Sequence, residues 1–308
     1  MQEKYTPNTL EYALQNTYIR GIIKANMRYT KKQFDAQYPN DDACLDMVFQ
    51  RRFGDLKHCP YCAAETKFYR VKSRQCYSCM HCGYQLFPLA GTIFRKTTTP
   101  LKDWFYAIYL FSTSKHGVSA KEVERHLGVT YKTAWRMCKQ IRLLMQQDAD
   151  KLAGTVEVDE TYVGGKARMA NKYANKTPVY GVTERGGSVK AVVARHGVNA
   201  TTAIPFLRAT VMEGSKVMSD ESRIYNRVKR DFTHEFVTHS KEEYVRGNTH
   251  TNTIEGFWGQ LKNSIRGTHH HVSPKYLQSY VNEFVFRYNL RDVAVCPVLL
   301  ELAATRER

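Results

Sequence analysis

Apolar residues recur along this chain in two rhythms. The first half carries the helical one. In "NDDACLDMVFQRRFG" (40–54), Cys44, Met47 and Val48 share a face, Asp41 or Asp42 stands at the N-cap and Gly54 follows the end. In "PLKDWFYAIYLFSTS" (100–114), Pro100 occupies the first turn and Leu101, Trp104, Phe105, Ile108 and Tyr109 follow at helical spacing. The next stretch pairs two helices. Ser119 and Glu122 form a capping box before Ala120, Val123 and Leu127, Gly128 interrupts, and Thr130 caps a helix carrying Ala134, Met137, Ile141 and Leu144. Residues 56–95 lack either rhythm.

From residue 151 the texture changes. "TVEVDETYV" (155–163) reads as a strand, and "TPVYGVTERGGSVKAVVARHG" (177–197) as a hairpin turning at Gly186-Gly187. A helix in "ATTAIPFLRATVMEGS" (200–215), a strand in "KVMSDES" (216–222), a helix in "RIYNRVKRD" (223–231) and a strand in "HEFVTHS" (234–240) come next. Two helices, "NTIEGFWGQLKNSI" (252–265) and "PKYLQSYVNEFVFRYN" (274–289), close the pattern. Three meandering strands followed by alternating helix and strand is the ribonuclease-H-like order, an α/β fold with a mixed sheet whose first strand is central. We therefore expect an N-terminal helical region (1–55), a cysteine module (56–95), a helix-turn-helix region (96–150) and a catalytic domain (151–308).

Composition sharpens the picture. The 308 residues include 46 Lys and Arg against 29 Asp and Glu, a formal charge of +17 spread along the chain. Such an excess favours a polyanionic partner over a neutral one. The second helix of the pair offers Tyr131, Lys132, Thr133, Arg136 and Lys139 outward, as a DNA-reading helix would. With 43% apolar residues the chain can build a real core, which excludes a disordered basic tail. No apolar run reaches the roughly 18 residues of a membrane span, and the N-terminus lacks a secretory apolar region. These features predict a cytoplasmic protein.

Five of the eight cysteines lie between Cys59 and Cys82. "CPYC" (59–62) and "CMHC" (79–82) are two C-x2-C knuckles with 16 residues between them. This is four-cysteine zinc-ribbon spacing, in which two tight turns present sulfurs in pairs. Cys76 makes "CYSC" (76–79) a rival knuckle; Gly83 after Cys82 favours Cys59, Cys62, Cys79 and Cys82. Cys44, Cys138 and Cys296 read as packed thiols.

The predicted central strand places Glu157, Asp159 and Glu160 within four positions. A buried carboxylate needs a partner, and a cluster of them needs a cation. In the ribonuclease-H-like layout Asp159 would meet Asp220, at the end of the fourth strand, and Glu255, on a later helix. Three such carboxylates suit two Mg2+ (or Mn2+) ions, which activate an attacking oxygen and stabilise a leaving one at phosphorus. Asn252, one helical turn before Glu255, is the alternative third ligand. Lys262 falls two turns after Glu255, where it would contact the DNA backbone. Glu157 and Glu160 read as surface or salt-bridging acids. Lys166, Arg168, Lys172 and Lys176 in "KARMANKYANKT" (166–177) read as a phosphate-touching loop.

The blocks "CPYC", "CGYQLFPLAGTIF", "VEVDETYVGGK", "TPVYGVTERGG" and "HTNTIEGFWGQLKNSIRGTHHHVSPKYLQSYVNEFVFRYN" together resemble insertion-sequence DDE transposases with an N-terminal zinc ribbon, the ISXO2-like group related to Merlin elements. The resemblance implies binding to terminal inverted repeats, hydrolysis at the element's ends and attack of the 3′-hydroxyl on target double-stranded DNA, by at least a dimer. It assigns Asp159 and Asp220 as metal ligands, with Glu or Asn third. A DNA-binding regulator that has lost catalysis and a structure-specific nuclease on the same fold are the alternatives.

Overall fold

The computed structural model describes residues 29–147, 150–165, 175–195, 197–220, 224–225, 228, 231–237 and 250–306. By internal contacts the chain divides into two units, one running to Met145 and rejoined by Asp292–Arg308, the other Gln146–Arg291.

In the first unit, α1 (Lys31–Gln37) and α2 (Asp41–Phe53) precede a three-stranded antiparallel sheet, β1 (Phe68–Val71), β2 (Cys76–Cys79) and β3 (Gln85–Leu86). Helices α3 (Leu101–Thr113), α4 (Ala120–Leu127) and α5 (Tyr131–Leu144) follow. The N-cap of α2 is Asn40, which accepts from the Ala43 amide, and not Asp41 or Asp42. Asp41 instead accepts from the Lys102 amide at the start of α3, 2.9 Å away, so its carboxylate caps a different helix. Buried Phe34, Phe94, Trp104, Phe105 and Phe111 fill the core.

The last helix, α9 (Val295–Thr305), belongs to this unit, although the sequence pattern assigns 151–308 to one domain. It is buried almost all round, through Cys296, Val298, Leu299, Leu300, Leu302, Ala303 and Ala304. Buried Glu301 on it is held by Arg51 of α2 at 3.0 Å. An all-round apolar helix needs neighbours on every side, and α2, α3 and α5 supply them.

The second unit is a mixed five-stranded sheet of order β6-β5-β4-β7-β8: β4 (Thr155–Gly164), β5 (Lys176–Glu184), β6 (Val189–Val193), β7 (Lys216–Ser219) and β8 (Thr233–Phe236). β4 is central, antiparallel to β5 and parallel to β7. This is the ribonuclease-H-like arrangement expected from the element order. Alternation along β4 and β5 sends Val156, Val158, Tyr180 and Val182 to one face, under α6 (Ala200–Thr210). Val163 and Val179 go to the other, under α7 (Asn252–Ser264) and α8 (Pro274–Asn289). The edge strand β6 is shielded by α8. Gln278 accepts from the Val193 amide at 2.7 Å, and Asn289 both accepts from Val189 and donates to it. α6 ends at Thr210, shorter than the apolar pattern suggests, because Val211 turns extended and pairs with Leu152. Lys166, Arg168 and Lys172 of the expected basic loop lie outside the described residues, and Lys176 opens β5.

Candidate metal centres and nucleic-acid interface

The two C-x2-C knuckles fold as near copies of each other. The Ala63 amide donates back to the Cys59 carbonyl, and the Gly83 amide to the Cys79 carbonyl. Ala63 and Gly83, each following the second cysteine of its knuckle, take φ of 57° and 74°. Only a residue in that left-handed region brings the next backbone amides round to the sulfurs, and glycine adopts it most easily. The amides of His81 and Cys82 donate to the Cys79 sulfur, and that of Tyr84 to Cys82.

All four sulfurs of Cys59, Cys62, Cys79 and Cys82 lie within 4.8 Å of one another. Cys59 and Cys82 are 3.7 Å apart, Cys62 and Cys79 3.9 Å. Tetrahedral zinc with Zn–S bonds of about 2.3 Å sets sulfurs about 3.8 Å apart. The cluster therefore fits structural zinc, and these four cysteines would hold it. Cys76 stands outside it on β2, fully buried and facing Gln85. Cys44, Cys138 and Cys296 are buried thiols, and burial pushes Cys44 and Cys296 up to about 12.

In the second unit, Asp159 sits mid-strand on β4 and Asp220 directly follows β7. The parallel register pairs Glu157 with Met218, so the strands run side by side just before Asp159 and Asp220, and the Asp220 charge reaches Asp159. Glu255 lies in the first turn of α7, exposed, as is Asn252. Burial, then the charges of Glu160, Asp220 and Glu255, push the Asp159 carboxyl up to about 8. Acids that repel one another in a buried site favour a cation, and an all-oxygen donor set suits a hard divalent ion. Among the described residues only the thiols converge to within 4.8 Å; the acids are coupled at longer range. Lys262 is half-buried. Burial lowers its pKa, while Asp159 works in the opposite sense.

Several residues that hold this site were not expected from the sequence. The Trp258 indole N–H donates to Asp159 Oδ2 at 3.0 Å. It reaches there because Gly181, opposite Asp159 on β5, has no side chain: a Cβ at 181 would lie 2.4 Å from the indole. Glu160 faces away from Asp159 and accepts from the buried Tyr225 hydroxyl at 2.7 Å. Burial, followed by Asp220, raises its carboxyl. It is thus neither a surface nor a salt-bridging acid. Glu157 does pair with a base, Arg185 at 2.7 Å, yet it is wholly buried. A helical block containing "EGFWG" beside a strand with an unpaired apolar rhythm at glycine was the one available hint of the Trp258–Gly181 contact.

The helix-turn-helix forms as expected. Ser119 caps α4 and Thr130 caps α5. Tyr131, Lys132, Arg136 and Lys139 are exposed along α5, whereas Thr133 is half-buried and bonded to Thr130. Buried Arg142 fixes the helix by donating to the Val118 carbonyl at 2.9 Å over the Phe111 ring.

A four-cysteine cluster, a helix-turn-helix and an acid-bearing mixed sheet are thus the functional elements of this chain. Residues 151–289 match the ISXO2-like transposase domain and residues 39–85 the transposase zinc-ribbon domain. The chain thus carries matches to both domains of the ISXO2-like insertion-sequence transposases. It is also similar to an uncharacterized protein in transposable element ISH50 of Halobacterium salinarum, 28% identical over 273 residues, covering 81% of this chain and 91% of that protein. Among the described residues, no helix is long and apolar enough to cross a membrane.

Proposed function

We propose that this transposase binds the terminal inverted repeats of its element, hydrolyses the phosphodiester at each end and joins the freed 3′-hydroxyl to target DNA. The observation that supports the reading is the electrostatic coupling of Asp159, in the middle of the central strand, to Asp220 just past the adjacent parallel strand and to Glu255. Asp159, Asp220 and Glu255 would hold the divalent ions, Mg2+ or Mn2+, with Asn252 the alternative to Glu255. When bound, such ions lower the pKa of the attacking oxygen and neutralise the leaving one. The chain's own residues orient the carboxylates: Trp258 holds Asp159, and the Thr251 hydroxyl donates to Glu255 at 2.9 Å. Lys262, beside Asp159, supplies a cation for a DNA phosphate. The exposed bases of α5 and the zinc ribbon read the ends, and the +17 charge supplies sequence-independent affinity. Joining two ends in one event calls for at least two protomers. The reaction takes place in the cytoplasm, on nucleoid DNA.

The test is incubation of the full chain with Mg2+ or Mn2+ and duplexes bearing the source element's terminal repeats. Wild-type protein nicks and joins them. Asp159→Asn and Asp220→Asn lose on the order of a thousandfold or more while still binding the duplex. Glu255→Gln abolishes cleavage and Asn252→Ala weakens it; the reverse ranking hands the third ligand to Asn252. Cleavage by Asp220→Asn at the wild-type rate would sink the assignment.

A further inference from the structure

Glu157 is fully buried in the central strand, two residues before Asp159 and on the same face. A carboxylate there is costly unless it is fully paired. It is paired mostly with one helix end. Its Oε2 accepts from the backbone amides of Thr253 at 2.8 Å and Ile254 at 3.1 Å. Its Oε1 accepts from the Thr253 hydroxyl at 3.0 Å and the Arg185 Nε at 2.7 Å. His250 Nδ1 lies 3.2 Å away, and Arg185 also donates to the His250 carbonyl at 2.9 Å.

The amides of Thr253 and Ile254 are first-turn donors of α7, which a helix cannot satisfy from within. Such donors are usually taken by the N-cap side chain. Here the N-cap is Thr251, and its side chain makes no cap bond; its hydroxyl donates to Glu255 instead. The cap is thus supplied from 96 residues away by the strand that carries Asp159. One turn further on, Trp258 ties the same helix to Asp159 itself.

We infer that Glu157 is a positioning residue for the metal site: it caps α7 in place of Thr251, leaves the Thr251 hydroxyl to orient Glu255, and so sets the third ligand against Asp159. Its catalytic consequence rests on the function proposed above; its effect on α7 does not. A merely fold-stabilising ion pair with Arg185 predicts damage throughout the unit, whereas a positioning role predicts damage confined to the first turn of α7 and to metal affinity.

The experiment compares wild type, Glu157→Gln and Thr253→Ala, the last removing one donor from the helix surface without touching the buried charge. Backbone hydrogen exchange is followed over 250–256 and over β4, β5 and α8, and Mg2+ affinity is measured by calorimetry without DNA and by nicking of terminal-repeat duplex. Glu157→Gln is expected to speed exchange selectively at 252–255 and to raise the Mg2+ requirement about 10–100-fold, the usual cost of losing a group that orients a ligand. Thr253→Ala moves both readouts the same way by a smaller factor. If Glu157→Gln fails to fold, Thr253→Ala decides the matter alone. Wild-type exchange and Mg2+ affinity in the variants overturn the inference, as does exchange raised evenly across the sheet. If wild-type protein nicks nothing in any metal, the transposase mechanism fails, and exchange with Mg2+ calorimetry still judges Glu157.

Discussion

Replacing Asp159 by Asn should make the second unit more stable at alkaline pH while destroying cleavage. The Asp159 carboxyl rises from an unperturbed 3.8 to about 8, first through burial and then through Glu160, Asp220 and Glu255. Between those two values the folded state holds a proton that the unfolded state has released. Stability therefore falls as pH climbs from about 3.8 and levels off above about 8. At 1.36 kcal/mol per decade, the ceiling on this penalty is on the order of 5 kcal/mol. Asp159 keeps some contact with solvent, which screens the repulsion, so about 2–3 kcal/mol is the working expectation. Asn has the same shape, and its carbonyl can still accept from Trp258. In calorimetry without added divalent ion, the variant should melt about 5–10 °C above wild type near pH 8.5, at roughly 2–4 °C per kcal/mol for a unit of this size. Near pH 5 the two should lie within about 3 °C of each other. Added Mg2+ should raise wild type toward the variant and leave the variant almost unmoved. Dialysis, not a strong chelator, must remove the Mg2+, because a chelator also competes for the cysteine cluster. A variant less stable than wild type near pH 8.5, or a difference insensitive to pH, would refute the account of Asp159 as a carboxylate held against its neighbours.

Two further outcomes follow from geometry alone. Cys79→Ser should release about one zinc per chain and unfold the ribbon, whereas Cys76→Ser should keep the metal, read by elemental analysis of purified protein; the opposite pattern would put Cys76 in the cluster. Gly181→Ala drives a methyl to 2.4 Å from the Trp258 indole, so the second unit should lose about 1–3 kcal/mol. Cleavage should drop with it as the indole leaves Asp159, and unchanged melting and nicking would show that the indole has room to spare.

Much of this molecule is written locally in its sequence. A C-x2-C knuckle is a single turn, so spacing nominates its sulfurs, and Gly83 points to the knuckle whose sulfurs lie with those of Cys59 and Cys62. The strand order follows from period-two and helical rhythms because each element's burial pattern is set by its own residues. The positions of Asp159 and Asp220, in the middle of one apolar strand and just past the end of another, were legible for the same reason. What the sequence could not reveal is what each buried position is buried against. Glu157 and Glu160 are near neighbours with the same side chain, yet one caps α7 and the other meets Tyr225, because alternation turns them to opposite faces of the sheet. Gly181 and Trp258 are 77 positions apart, and only the docking of α7 across β4 and β5 makes the absent side chain of one the space for the other. The helix Val295–Thr305 reads as apolar on every side, and its sequence adjoins the second unit. Periodicity records that it is enclosed, but tertiary packing, through Arg51 and the helices of the first unit, decided by what.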